Sequence, residues 1–586
     1  MESTLFDSRV NFSIATEHDR AGIYQMRHAV YAEELGQHST NTVLQLKDDL
    51  DDFNVYIVAK KENIIVGFIS VTPADAPSFS IDKYISRSIV PVPFDNFLFE
   101  IRLLTVDKAN RNSFLALLLM YAAMRWIEVE GGKYIVAICR SDIMDMYKKA
   151  GLQPLGQTIK SGQVSYELSI ASIEDVKRFE NRSRSLFSML EKKIVWDLPF
   201  QFTGAKCFHG GAFFKAIGED FKTLNKHKQI INADVLDAWF PPSPKVVDAI
   251  QQHLPWLLQT SPPTHADGLI DAISAARNVK RNCILPGAGS SSLIFLTLRY
   301  LLNQHSRVLI IDPCYGEYVH VLENVIRCHV YRFKLSRQDE FVVNIHSLIE
   351  EVKNGYDLII IVNPNSPTGK YIDKEEMEEL LFNCKNTLVW VDETYIDYVG
   401  ANNSLEQLAA KSNNLIICKS MSKVYSLSGV RAAYLCCSPM YVEALKHLTP
   451  PWSLSLPSQL AAVTALNDEA YYNKKYEETH VLRNDLIQQL RKIGITEIIT
   501  GVANFILFFL PDHFPDAQTF VEKCKTRNLF LRDVKAMGNT LGEKAVRIAV
   551  KDGETNKQMI AILKDIIGEI QGTPRVNVLA KIEEFH

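Results

Sequence analysis

The sequence predicts an α/β protein built from two different modules in series. At 586 residues the chain exceeds what a single hydrophobic core orders, so roughly two to four folded units are expected. Apolar runs of strand length alternate with helical periods in both halves. A Gly/Ser turn, Gly287 to Ser292, separates a strand-like run from an apolar helix and so presents N–H and O–H donors to a phosphate. A content of 47% hydrophobic and 23% charged residues with net charge −4 suits globular domains and offers neither a basic stripe for nucleic acid nor an acidic tail. Small molecules are therefore the expected partners, with no nucleic acid. Met1 to Phe12 lacks an export signal, and no apolar run is long enough to span a bilayer. A cytoplasmic protein with no membrane partner is expected. The ten cysteines include no C-x-x-C pair, which argues for core thiols in a reducing compartment and against a metal site.

The first module covers residues 1–170. Glu17 to Leu35 has helical periodicity, while Asn54 to Ala59 and Ile64 to Ile69 read as strands around the polar turn Lys60 to Asn63, a hairpin. Then come a strand, Phe97 to Val106, a loop, Asp107 to Ser113, and a long apolar helix, Phe114 to Glu130. A strand, Tyr134 to Ile138, leads through a short helix to Tyr147–Leu152 (YKKAGL). This order resembles the GNAT acyltransferase fold. Met26 to Leu35, together with the acidic strand FEIRLLTV, is similar to the branch containing autoinducer synthases and N-acyl amino acid synthases. The resemblance implies acyl-CoA or an acyl-carrier protein as donor, with the loop before the long helix cradling a pyrophosphate. The loop here departs from the family's Gly-rich turn. It has no glycine to let the backbone approach the phosphates, which leaves Arg111 as the phosphate partner. Glu100 is the candidate base for an acceptor amine, since a carboxylate on a half-buried strand can have a raised pKa. The alternative is a structural carboxylate paired with Arg102 or another neighbouring base.

Residues 171–204 are charged and helix-prone and are expected to join the modules as a helical linker or a docking helix. The second module, 205–586, opens with Phe208 to Phe214 (FHGGAFF) and the arm Asn232 to Pro244 (NADVLDAWFPPSP), whose three prolines fix an extended aromatic segment. That segment either walls a pocket or packs as a structural loop.

Further on, Ser420-Met421-Ser422-Lys423 follows the strand-like run Leu415 to Cys418 and precedes Arg431. An imine-forming amine beside an anion cup is the pair of demands made by pyridoxal phosphate (PLP). Val308 to Tyr318 puts Tyr315 just after a buried strand, where its ring could stack on a pyridine face. Leu358 to Gly369 ends a strand in a Pro-Gly turn carrying Asn and Ser groups for a ring hydroxyl. Thr387 to Tyr395 places Asp392 at a strand end, where it can keep a pyridine nitrogen protonated, and Tyr395 three residues on, within reach of a phenolate oxygen.

Together these pieces resemble fold-type I PLP enzymes, specifically the histidinol-phosphate aminotransferase and threonine-phosphate decarboxylase branch, over about residues 205 to 570. The resemblance implies a large domain with a mostly parallel seven-stranded sheet, a small C-terminal α/β domain from about residue 460, and a homodimer with active sites at the subunit boundary. It implies Lys423 as Schiff-base lysine and general acid/base, and Gly289, Ser290, Ser291, Ser420, Ser422 and Arg431 as the phosphate cup. Arg547, in Leu529 to Val550, would clamp the substrate α-carboxylate. Arg532 would bind a second anionic group or cap a strand. Two departures stand out. Ser366 occupies the position where the family has Asn before Pro-Thr-Gly, so the ring-hydroxyl contact falls to Ser366, Asn365 or Asn363. The NADVLDAWFPPSP arm also does not match the family's Asn-Pro arm.

The implied activity is PLP-dependent transamination between a small amino donor, an amino acid or amino-phosphate, and a keto acid acceptor. N-acyl transfer by the first module would add a second activity. The alternatives are a PLP-dependent decarboxylase or cyclase, or a PLP enzyme whose GNAT-like module only docks or regulates.

Overall fold

In the computed structural model, which describes residues 9–572 apart from 112, 162–163, 192 and 203–209, the chain divides between Ala205 and Lys206 into two units. Cys207 and the Phe208-His209 start of FHGGAFF lie outside the described residues. Among the described residues no helix is long and apolar enough to cross a membrane.

Eight strands build the first unit: β1 Val10–Ile14, β2 Val55–Lys61, β3 Ile64–Thr72, β4 Leu98–Val106, β5 Tyr134–Arg140, β6 Gln153–Ser161, β7 Val164–Ser172 and β8 Ile194–Asp197. They form one sheet in the order β6-β7-β5-β4-β3-β2-β1-β8. Only β4 with β5 and β1 with β8 run parallel. The hairpin predicted at Lys60 to Asn63 is present. Its two-residue loop, Glu62-Asn63, has φ of 48° and 67°, the left-handed turn that matches the twist of paired strands. The helix predicted at Glu17 to Leu35 runs as α-helix over Glu17–Arg27 and continues in wider π turns over His28–Glu34. The apolar helix, Leu115–Val129, packs into the core with Val10, Phe12, Ile57 and Ile69. The pairing of β4 with β5 ends at Ile101 opposite Ala137. Beyond that point a cavity of about 270 Å³ opens, lined by Leu103 to Val106 on β4 and Ile138 to Arg140 on β5.

Residues 171–204 correct the linker expectation. Their charge pattern does yield two helices, Ile173–Arg182 and Arg184–Glu191, but the chain then returns as β8 to extend the sheet beside β1. Phe187, Leu190 and Phe202 join the core that holds Val10 and Phe12. The segment is part of the first unit because its apolar face has a core to cover. Phe187→Ala is expected to destabilise the first unit by about 3 kcal/mol, read as an earlier chemical-denaturation midpoint; a free linker would give no shift.

In the second unit a central sheet is made of β10 Ile284–Gly287, β11 Arg307–Asp312, β12 His329–Lys334, β13 Leu358–Val362, β14 Leu388–Asp392, β15 Leu415–Ser420 and β16 Ala433–Cys437, after the short β9 Ile231–Asn232. Its order is β10-β16-β15-β14-β13-β11-β12. Strands β12, β11, β13, β14 and β15 are parallel neighbours, and β16 is antiparallel to both β15 and β10. The continuous apolar runs of the central strands follow from burial on both faces. Leu309, Ile311, Ile359, Ile361, Val389 and Val391 pack into one core, while Val308, Ile310, Leu358, Ile360 and Trp390 pack into another across the sheet. Nearer the C-terminus, β17 Ile498–Ile499, β18 Phe505–Phe509, β20 Arg532–Asp533 and β21 Ala545–Ala549 form an antiparallel sheet. The remaining strand, β19 Leu529–Phe530, pairs in parallel with β9, which fastens the start of the Asn232–Pro244 arm.

Candidate active site

In an open parallel sheet, side chains just past the carboxyl ends of the strands converge on one edge, where ligands bind. Here those ends carry Asp312 to Tyr315 after β11, Asn363 to Ser366 after β13, Asp392 to Tyr395 on β14 and beyond, and Ser420 to Lys423 on β15 and beyond. Of these, Tyr315, Ser366, Asp392, Thr394, Tyr395, Ser420, Ser422 and Lys423 line a cavity of about 310 Å³. Its walls include Ser290, Ser291, Tyr315, Ser366, Asp392, Tyr395, Ser420, Ser422, Lys423, Arg431, Arg532 and Arg547. Twelve side chains from separate stretches of sequence thus meet at one place.

The anion cup lies at the start of the helix Ser290–Leu301, where the first N–H groups have no intrahelical acceptor. Gly289 sits at φ +89°, and a Cβ there would come within 2.3 Å of the Arg431 Nη2. Glycine is therefore what allows the guanidinium to close over the turn. Arg431 Nη1 also donates to Ser422 Oγ (3.5 Å) and to the Ser428 carbonyl (3.1 Å). The Ser291 hydroxyl donates to Glu317 Oε2 at 2.9 Å, so its one O–H is already used and Ser290, Ser420 and Ser422 supply the hydroxyls nearest the cup.

Asp392 is fixed from three directions. Tyr318 OH donates to Oδ2 (2.8 Å), and Thr394 donates to Oδ1 through its N–H (2.9 Å) and its hydroxyl (2.6 Å). A carboxylate has about four lone-pair sites, so one direction stays open for a further N–H donor. Burial pushes the Asp392 carboxyl above its ordinary range, and an added cationic donor would reverse that shift. Tyr318 in turn accepts from Trp390 Nε1 (2.8 Å). Sequence reasoning passed over Tyr318 and Thr394, although the Asp-x-Thr spacing of a local side-chain turn was a usable signal. Beneath the site, Lys419 lies between Asp397 (3.3 Å) and Glu393 (3.6 Å), and Arg277 pairs with Asp397 at 2.7 Å. This buried network ties the Asp392–Tyr395 stretch to the strand that delivers Lys423.

Arg547 is buried on β21 and donates to Ser366 Oγ (3.1 Å) and to the Asp234 carbonyl (3.2 Å). Its Nε is buried without a partner among the described residues. Two of its five donors are used, so a bidentate pair remains for a carboxylate. Burial draws its pKa down to about 10, which leaves it charged at neutral pH. Arg532 lines the same cavity 3.5 Å from Asp234. Tyr395 packs its ring edge-on to Phe505 with centroids 5.3 Å apart, and Tyr315 donates to Glu317 at 2.9 Å.

Three expected site residues are placed differently. Asn365 turns its amide to the Pro313 carbonyl (3.2 Å) and accepts from the Thr368 hydroxyl (2.9 Å), while Asn363 exchanges two hydrogen bonds with the Ile372 backbone. Both amides brace the turn, and Ser366 alone of the three reaches the cavity wall. Glu100 is fully buried. Its carboxylate accepts from Ser80 N (2.7 Å), Ser80 Oγ (2.6 Å) and Ile81 N (3.0 Å), and burial raises its pKa. It is absent from the lining of the first unit's cavity, and Arg102 pairs with Asp48 instead. Arg111 does line that cavity but is held by Glu34 through both terminal nitrogens.

The cradle, the strand-end carboxylate and the amine fit PLP as a group. Ser290, Ser420, Ser422 and Arg431 would hold its phosphate, Asp392 its ring nitrogen, and Lys423 its aldehyde carbon.

Comparison with known proteins points the same way for the second unit. Residues 232–563 match the family described as aminotransferase class I and II. The chain is 30% identical over 311 residues to a histidinol-phosphate aminotransferase of Clostridium botulinum, covering 52% of this chain and 84% of that protein. Its fold is similar to the crystal structure of histidinol-phosphate aminotransferase from Clostridium acetobutylicum (TM-score 0.53, 22% identity, 58% of this chain and 100% of that one). It is also similar to that of L-threonine-O-3-phosphate decarboxylase from Porphyromonas gingivalis (TM-score 0.50, 20% identity, 57% and 98%).

Proposed function

Because the chain belongs to the aminotransferase class I and II family and is of the histidinol-phosphate aminotransferase type, we propose that its second unit transfers the amino group of an amino acid or amino-phosphate to a keto acid. The observation that carries this reading is the convergence of Lys423, Asp392 and Arg547 on one cavity. PLP, when bound, supplies an electron sink that weakens the bonds at the substrate Cα. The residues decide which bond is used. Arg547 would hold the α-carboxylate by two parallel N–H bonds, which restricts the rotation of that group and disfavours its loss as carbon dioxide. Lys423 would move the proton at Cα. Asp392 would keep a positive charge at the ring nitrogen, and Tyr395 and Ser366, both on the cavity wall, would be the candidate partners of the ring hydroxyl.

Decarboxylation is the competing outcome, since the fold is shared with a threonine-phosphate decarboxylase. An absorbance spectrum of the purified protein with PLP, recorded before and after adding a panel of amino acids and, separately, the amino-phosphate histidinol phosphate, separates the two. Conversion of the cofactor band to that of the aminated cofactor by one donor is expected. A band that no donor converts, with carbon dioxide released, would replace transamination by decarboxylation.

A second reading concerns the first unit. The cavity between the parting strands β4 and β5, with Arg27, Tyr31, Arg102 and Arg111 on its wall, supports N-acyl transfer from acyl-CoA or an acyl-carrier protein to an amine. Glu100, saturated by Ser80 and Ile81, is a poor base in this arrangement. Transfer of a labelled acyl group, unaffected in rate by Glu100→Gln, is the expected result. Absence of both transfer and donor binding would leave a docking module. A homodimer, the habit of the family, is the proposed assembly of the second unit.

A further inference from the structure

The Asn232–Pro244 arm brings a carboxylate to Lys423 that none of the roles already described employs. Asp237 Oδ1 lies 2.8 Å from Lys423 Nζ, and the Ser428 side chain adds to the polar surroundings that favour the charged carboxylate. Anchors on either side fix its place. Asn504 Nδ2 donates to the Leu236 carbonyl at 3.0 Å, Ser426 Oγ to the Phe240 carbonyl at 2.7 Å, and Trp239 Nε1 to Thr479 Oγ1 at 2.8 Å. Asp237 is thus set by backbone on both flanks and does not reach toward the lysine from a loose loop.

Two further groups face it. Lys551, two residues past β21, feels both Asp237 and Lys423, and Tyr395 feels Asp237 across the cavity. Burial pushes the Asp237 carboxyl up, but Lys423 and Ser428 outweigh it and hold the group below its usual range. Burial draws the Lys551 ammonium down to about 8, with Asp237 opposing and Lys423 adding to that shift. Lys423 is thus paired directly with the carboxylate, and Lys551 acts on both through its charge.

We propose that Asp237 is a positioning residue for Lys423: its carboxylate fixes the lysine nitrogen at the cavity wall and would stabilise the protonated form of that nitrogen when it is joined to PLP, while Lys551 is the opposing charge. The proposal rests on the PLP reading of the site.

The test is a spectroscopic pH titration of the full-length protein loaded with PLP, following the protonated and neutral forms of the PLP–lysine chromophore. Asp237→Asn should lower the midpoint by about 1 pH unit, roughly a tenfold loss of proton affinity, because an opposite charge at hydrogen-bond distance is removed. Asp237→Glu should keep the midpoint near that of the parent protein. Lys551→Met should move it the opposite way, upward by about half a unit or more, because a like charge is removed. A purely structural role would alter cofactor retention and leave every midpoint in place. Unchanged midpoints in both Asp237→Asn and Lys551→Met overturn the inference alone. If the parent protein forms no chromophore with PLP, the cofactor reading falls and the inference with it.

Discussion

Lys423→Ala is expected to lower the rate of amino transfer by about 10³- to 10⁴-fold, the upper part of what a positioned acid/base residue contributes. It should also abolish the PLP–lysine chromophore. The size follows from the lack of a substitute. Lys419, four residues earlier and still within β15, is buried among Asp397, Glu393 and Glu406, so its amine is committed beneath the sheet. Lys551 faces Asp237 and does not line the cavity. Lys423→Arg should be nearly as damaging, since it preserves the positive charge but offers a group that stays protonated and cannot shuttle a proton. Single-turnover kinetics with the amino donor would check both variants. Activity of Lys423→Ala within about tenfold of the parent would mean that another group moves the proton at Cα, and would remove this lysine from the chemistry.

The parts of the site readable in the sequence are those whose position follows from local pattern. A strand buried on both faces is continuously apolar, so a polar residue directly after it marks the carboxyl edge of the sheet. That is why Asp392, Ser420 and Lys423 could be placed before any coordinates. Which amide in Asn363-Pro364-Asn365-Ser366 points into the cavity depends on the path of the next loop, where Ile372 and Thr368 take two of the candidates. Asp237 and Lys423 are 186 residues apart, and no local pattern signals a pairing over that separation. The same limit hid β8. Its four residues, Ile194–Asp197, look like any short apolar stretch after a charged helix, and only pairing with β1, nearly the whole unit away in sequence, makes them a strand. Glu100 shows the opposite case. Its strand was identified, yet the face on which its carboxylate finds partners was decided by the Ser80–Lys83 turn, which carries no strong sequence signature.

Arg547→Ala is expected to cost about 3–5 kcal/mol in transition-state binding, or about 10²- to 10⁴-fold in kcat/KM for the amino donor. The estimate is that of a buried charge pair broken on one side, because the substrate carboxylate would enter a site where Arg431 serves the anion cup, Lys423 pairs with Asp237 and Arg532 is already beside Asp234. Two losses combine. The donor binds less tightly, which raises KM, and its carboxylate is no longer held in the plane of the ring, which lowers kcat and opens the route to carbon dioxide. Arg547→Lys separates them, since an ammonium restores attraction but not the parallel pair of N–H bonds. It should recover part of KM while leaving kcat depressed, and the ratio of carbon dioxide to keto acid product should rise in both variants. If instead Arg547→Ala changes KM alone and the product ratio stays fixed, the guanidinium only attracts the substrate, and the choice of bond lies with groups elsewhere on the cavity wall.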